Sequence, residues 1–434
     1  MKKIILWSIV LLVVAGAAVD ASLWLRKPQI ILLKDGTKLT LLGVTHGKHH
    51  VAPKLKIAGQ TRGGGARMDT PKDTVMVWIE AEHKANQYPN YQLLVYDKAN
   101  TACVSIYSRT QSQVKNGVEV QGFMLDSYPR RDSKMILRVM SYGQRGQQVS
   151  KEQFVVSNPG PRPSAKWSPD PMPDTQSDGD LSVTLTKLVA GAQSPYNRGN
   201  GIPKNDPLNK CVQLDFDFQQ KGQSTTNWHP IRVVTSDAGG NSLQGWINPS
   251  YQNGQNSGYQ YQEGLWPDEP AWKLRVEFTR SSGFSDDEVW AVTNITVNAG
   301  TQQDVQDAWN SNWNASNKPK PAFAEATVNG IHLKLFPAIQ YQDPGMGGQT
   351  VSFTLKADPD PEAQGMRLTL LKIDDDQGRE LQSRGSSWGG GNYQYQYSGV
   401  RNLKSLNLTI ALPKSRFIEF TVKPQKAATA ATKQ

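Results

Sequence analysis

Val212-Gln-Leu214-Asp-Phe216-Asp-Phe218 alternates apolar and polar residues without a break, Val351-Ser-Phe353-Thr-Leu355 repeats the alternation, and Val75-Met-Val77-Trp-Ile79 sets Val, Val and Ile on the same period of two. Successive side chains of a strand point to opposite faces, so a period of two puts each apolar set on one side of a sheet. After each stretch comes a strand that ends on an aspartate turn. These are Leu93 to Asp97-Lys-Ala-Asn100, Ile231 to Asp237-Ala-Gly-Gly240, and Leu370 to Asp375-Asp-Gln-Gly378. Aspartate opening the turn with glycine or asparagine three positions later is hairpin chemistry.

A pair of closing strands completes each set. Ile136-Leu-Arg-Val139 goes with Phe154-Val-Val-Ser, Lys273-Leu-Arg-Val276 with Ile295-Thr-Val297, and Leu406-Asn-Leu-Thr-Ile410 with Phe420-Thr-Val. Opening strands precede them at Leu39-Thr-Leu41, Val183-Thr-Leu185 and Leu333-Lys-Leu335. The shared order predicts three homologous units. Sustained 3.6-residue stripes are almost lacking, which favours antiparallel two-sheet sandwiches over an α/β fold. The expected fold is therefore mainly β, an N-terminal hydrophobic helix followed by three tandem β-sandwich domains. The boundaries are 1–27 for a signal anchor or signal peptide, 28–159, 181–298 and 326–424 for the sandwiches, 160–180 for a proline-rich linker, 299–325 for a second linker with one short helical turn around 305–309, and 425–434 for a flexible tail.

The N-terminus sets the expected compartment. Lys2 and Lys3 precede 16 uncharged residues, 4–19. A basic start followed by such a run reads as an export signal, with the lysines held inside. As a helix the run spans about 24 Å, short of a hydrocarbon core of about 30 Å unless it extends to Leu25. Cleavage and retention as a single-pass anchor both place the remainder outside the cytoplasm, membrane-anchored, periplasmic or secreted. The formal net charge is +10, and a hydrophobic fraction of 37% with only a 20% share of charged residues excludes a wholly disordered chain. Two cysteines, Cys103 and Cys211, exclude a disulfide scaffold and a multi-cysteine zinc module. Outside the cytoplasm a bridge between them is permitted, and buried thiols on strands are the plainer expectation.

Several clusters carry possible chemistry. His46-Gly-Lys-His49-His50 offers imidazoles that would need further ligands to hold a metal. Asp374-Asp375-Asp376 with Asp358-Pro-Asp360-Pro-Glu362 offers hard oxygens for calcium, without the EF-hand spacing. Thr61-Arg-Gly-Gly-Gly-Ala-Arg67 is a basic glycine-rich loop that lacks the ending of a phosphate loop. Solvated turns and loops account for each, and neither a metal nor any other cofactor is expected.

The aromatics point further. The sequence has 12 Trp and 14 Tyr, many flanked by Gln, Asn, Gly and Ser. Rigid rings among amides suit adaptable recognition. Trp246, Trp388, Tyr259 and Tyr393 are the candidate ligand-binding residues. Trp246 and Trp388 stand in glycine-rich stretches and are expected to be exposed, whereas Tyr261 and Tyr395 occupy equivalent repeat positions and are expected to be structural.

The units resemble immunoglobulin-like or fibronectin-III-like domains, although no Cys…Trp…Cys core pattern is present. Leu41-Leu-Gly-Val-Thr45-His-Gly-Lys-His49-His50 after an export segment resembles a class of uncharacterised exported or membrane-anchored bacterial proteins. This likeness covers about the first fifty residues and implies no activity. The expected role is non-catalytic: a scaffold or adhesion-like interaction protein of the cell envelope. Its partner would be an envelope protein or a cell-wall polysaccharide, with no nucleic acid. The alternatives are a carbohydrate-binding envelope protein and an accessory subunit of an envelope enzyme or transport complex.

Overall fold

The computed structural model describes residues 28–57, 59–83, 91–97, 102–103, 108–115, 118–143, 146–160, 163, 165–194, 209–252, 255–262, 264–313, 321–343, 348–398 and 403–427. The chain is mainly β, built from several largely antiparallel sheets and one described α-helix, Gln302–Trp313. The expected N-terminal hydrophobic helix, residues 1–27, lies outside the described residues. Among the described residues no helix is long and apolar enough to cross a membrane.

Two sheets are built from the first part of the chain. One has the order Ile30–Leu32, Lys38–Val51, Arg67–Glu82, Val118–Leu125, Ser108–Lys115, and the other Gly146–Ser157, Lys134–Gly143, Tyr91–Tyr96, Ala102–Cys103. Val75, Val77 and Ile79 of the first share one buried cluster with Leu93, Val95 and Leu137 of the second. The strand Arg67–Glu82 departs from simple alternation because its other face is also covered. Met76 and Trp78 pack there with Leu42, Ala52, Ala66 and Val120, and the half-buried Leu55 of the strand Lys54–Ile57 joins them.

The next sheet has the order Asp174–Asp178, Leu181–Gln193, Lys210–Gln220, Gln255–Tyr261, Asn248–Gln252. Its alternating strand works as its sequence dictates: Val212, Leu214, Phe216 and Phe218 are buried, and Phe216 meets Phe278 of the facing sheet edge-on at 5.3 Å. That facing sheet runs Ser242–Trp246, Trp228–Asp237, Trp272–Arg280, Arg416–Val422. Its fourth strand comes from the far end of the chain.

The pairing of the closing strands corrects the sequence reading. Trp272–Arg280 does not pair with the strand that follows it, Val289–Ala299. It pairs with Arg416–Val422, in the register Leu274 to Phe420, Val276 to Ile418 and Phe278 to Arg416. Val289–Ala299 crosses into the last sheet, antiparallel to Ser405–Ala411 and parallel to Ala338–Asp343. The two closing strands have thus changed places. Phe420 and Val422 are buried in the core of the middle sheets, and Val292 and Ile295 in the core of the last. A period-two pattern specifies which face is apolar and leaves the partner open.

The last sheet has nine strands. Its main path is Ala324–Val328, Ile331–Leu335, Gly348–Asp358, Ala338–Asp343, Val289–Ala299, Ser405–Ala411, Thr369–Asp375, with Asn392–Ser398 on the free side of Gly348–Asp358 and Ser383–Gly389 beyond it. The segment expected to be a linker, 299–325, contains the helix, which is longer than a single turn. Thr301 and Asp304 cap its start reciprocally, Asp304 N–H donating to Thr301 Oγ1 and Thr301 N–H to Asp304 Oδ2. The tail is partly ordered: Gln425–Lys426 runs parallel to Val189 and Ala190.

Candidate functional site

Trp246 ends an edge strand, in register with Arg232 on the neighbouring strand, and Arg232 is in register with Glu277 on the next. Glu277 alternates with the core residues Val276 and Phe278, so its carboxylate points to the outer face of the sheet. A lone carboxylate buried there would be costly. Here it is 2% exposed, forms an ion pair with Arg232 at 2.6 Å, and accepts from Arg367 Nε at 3.2 Å and Nη2 at 3.4 Å and from the Ser415 hydroxyl at 2.8 Å. Arg367 and Ser415 are brought over it by two crossing segments, in which Arg367 N–H donates to the Pro413 carbonyl and Ser415 N–H to that of Gly365. A second nitrogen of Arg367 bonds Glu362, and Arg232 lies 3.9 Å from the same carboxylate.

Both guanidiniums also face the Trp246 ring, Arg367 at 5.1 Å and Arg232 at 6.0 Å from its centroid, within cation–π range. The outer side of this seam is aromatic. Trp388, on the edge strand Ser383–Gly389, meets Trp246 edge-to-face with centroids 6.1 Å apart and planes at 87°. Trp246 is 44% exposed and Trp388 49%. The two edge strands therefore present one right-angled corner of indole surface on a base of ion pairs. Glu277 accepts three hydrogen bonds and an ion pair on its two oxygens, which fits a structural clamp better than a proton shuttle.

The other aromatic candidates divide. Tyr393 is cross-strand from Trp388 and buried. Burial pushes its phenol well above the ordinary value, with Asp360 and Glu362 adding to the shift and Arg367 opposing it. Tyr259 is half-buried beside an open cleft of about 690 Å³ that is also lined by Asp215, Asp217, Ser224 and Thr225. Tyr261 is fully buried, with its hydroxyl 2.9 Å from that of Thr235. Tyr395 stacks on Phe353 at 5.3 Å.

The histidine cluster does not converge. His50 is 1% exposed and held between two hydroxyls, Thr45 at 2.8 Å from Nδ1 and Thr74 at 3.0 Å from Nε2. The donors run in one direction: Trp78 Nε1–H to Thr45, Thr45 to His50, His50 to Thr74, Thr74 to Thr70, and Thr70 to the Lys72 carbonyl. Burial lowers the His50 pKa, so this ring is kept neutral. His49 is at the surface, 2.8 Å from Asp69, and His46 is half-buried. Among the described residues no group of three or more His, Cys, Asp or Glu is placed to hold a metal.

The remaining clusters close on themselves. In the glycine-rich loop Arg62 pairs with Glu80 and Glu82 while Gly63 N–H donates to Glu80 at 3.0 Å, and Arg67 is exposed. Asp375 is a turn aspartate that accepts from the backbone of Gln377 and Arg379 and from the Arg379 side chain. Burial raises its pKa, but these bonds outweigh it and the net shift is downward. Asp360 accepts from Glu362 N–H at 3.1 Å. Cys211 is buried, and the Cys103 side chain lies outside the described residues, as does any bridge between the two.

Sequence reasoning picked out both tryptophans from their glycine flanks and missed Arg232, Glu277, Arg367 and Ser415. Glu277 reads as an ordinary solvent-facing residue of Lys-Leu-Arg-Val-Glu-Phe, and the groups that cover it lie far along the chain. No known family model and no curated protein matches the chain.

Proposed function

We propose that this is a non-catalytic scaffold or interaction protein of the cell envelope, exported through its N-terminal hydrophobic segment. In this reading three tandem immunoglobulin-like or fibronectin-III-like sandwich units follow, the second and third joined by their exchanged closing strands. The observation that carries the reading is the Trp246–Trp388 corner, two half-exposed indoles in contact on a buried ion-pair base. Large apolar side chains grouped at a surface mark an interaction site more often than scattered ones do. The clamp beneath them fixes the rings before any partner arrives, which limits the ordering cost of binding.

The same indoles favour a second reading, in which the partner is a cell-wall polysaccharide. A sugar ring can stack on an exposed indole face, and the cleft beside Tyr259 offers carboxylates and hydroxyls that suit sugar hydroxyls.

Trp246→Ala and Trp388→Ala test the site. The edge-to-face pair is worth about 0.5–1.5 kcal/mol, so Trp388→Ala should melt within a few degrees of the parent, and Trp246→Ala, which also gives up two cation–π contacts, somewhat lower but still folded. Each should lose at least tenfold in retention on purified envelope material. Unchanged retention in both would remove this surface from the account. A glycan array separates the two readings: a polysaccharide partner requires signals that disappear in both variants, and a protein partner predicts none.

A further inference from the structure

The helix Gln302–Trp313 lies on the last sheet against Ala338–Asp343 and Gly348–Asp358. Along Gly348–Asp358, Val351, Phe353 and Leu355 face the core, so Thr350, Ser352 and Thr354 face the other way, and all three are buried. The hydroxyl of Thr350 accepts from Arg384 at 3.1 Å. Ser352 is 2% exposed, and its Oγ has no hydrogen-bond partner within the protein.

Ser352 borders a cavity of about 220 Å³ between helix and sheet, walled mainly by Val305, Ala308, Phe336, Pro337 and Ile339. The walls of this volume are largely apolar, with Asn298 and Thr354 at their margin, and the buried Ser352 hydroxyl lacks a protein partner beside them. One molecule with an apolar body and one polar group matches both features. A dry apolar cavity of roughly 150 Å³ takes up benzene, so this volume suits a six-membered ring carrying a small substituent.

We propose that this cavity is a binding site for a small phenol-like molecule, its ring against Val305, Ala308 and Ile339 and its hydroxyl on Ser352 Oγ. The site is separate from the tryptophan corner and independent of the function proposed above.

Phenol and toluene, titrated into the full chain by calorimetry, test it. They match in size, and only phenol can bond Ser352. Phenol should bind saturably and about three- to tenfold more tightly than toluene, the range of one net hydrogen bond. Ser352→Ala should abolish or reverse the preference while toluene still binds, because the phenol hydroxyl is then left without a partner. Ala308→Met, which fills the cavity from the half-buried face of the helix, should weaken both at least tenfold without lowering the melting temperature. Saturable binding of neither compound would overturn the proposal. So would a phenol preference that survives Ser352→Ala, or unchanged binding of both compounds in Ala308→Met.

Discussion

Replacing Phe420 by alanine removes a fully buried ring from a strand near the C-terminus, and the exchange of closing strands dictates where the damage falls. Phe420 is opposite Leu274, with its ring 6.1 Å from that of Phe216, so it belongs to the core of the middle sheets. Deleting a buried phenyl ring costs about 3–5 kcal/mol. At one power of ten per 1.4 kcal/mol, hydrogen-exchange protection in the affected strands should fall by roughly two to three and a half powers of ten where exchange proceeds through their opening. Those strands are Lys210–Gln220, Trp272–Arg280 and Arg416–Val422. Leu408→Ala is the matched control. Leu408 lies only twelve positions before Phe420 but is opposite Val292 and Ile373 in the last core. Its loss, costing about 2–5 kcal/mol, should open Val289–Ala299, Thr369–Asp375 and Ser405–Ala411 first. Mass-spectrometric exchange on both variants reads all six strands. If Phe420→Ala deprotects Thr369–Asp375 and Ser405–Ala411 while Lys210–Gln220 stays protected, the closing strands are paired in sequence order and the reasoning fails.

Two further outcomes follow from single side chains. His50 is held neutral by burial, with His46 and His49 lowering its pKa further and the Gly47 carbonyl and Asp69 opposing. Its folded pKa thus lies below the unfolded value of about 6.5, so its contribution is fully present above that pH and is lost as pH falls toward the folded value. Urea midpoints between pH 7.5 and 5 should decline less steeply in His50→Gln than in the parent, and parallel declines would refute this. Tyr261→Phe leaves the buried Thr235 hydroxyl without its partner and should cost about 1–3 kcal/mol; adding Thr235→Val should recover part of that. Equal stability of Tyr261→Phe and the parent by denaturant titration would contradict the bond.

The strands were legible in the sequence because their burial is local information. Val212 to Phe218 alternates, and the structure buries the apolar set as the alternation requires. The aspartate turns were legible for the same reason: Gly240 N–H returns to the Asp237 carbonyl and Gly378 N–H to that of Asp375. Partner choice is non-local and left no such mark. Lys-Leu-Arg-Val-Glu-Phe reads alike whether its neighbour is Val289–Ala299 or Arg416–Val422. The helix was read as one turn because Val305, Ala308 and Trp309 make only a thin apolar stripe, sufficient on a hydroxyl-lined face but weak as a pattern. At the candidate site the glycines around Trp246 and Trp388 signalled exposure. The buried Glu277 was invisible because its partner Arg367 stands 90 positions away and arrives only when the crossing segments are in place.

The exchange of closing strands is open to a direct geometric measurement. Lys273 and Thr421 are cross-strand partners on the observed pairing. Opposed residues of antiparallel strands have Cβ atoms about 4.5–5.5 Å apart, within reach of a short thiol-reactive crosslinker. In a Cys103→Ser background, the pair Lys273→Cys with Thr421→Cys should crosslink rapidly within one chain. The pair Lys273→Cys with Thr296→Cys, which sequence order would bring together, should not. Intrachain crosslinking of the second pair with none in the first would contradict the strand exchange.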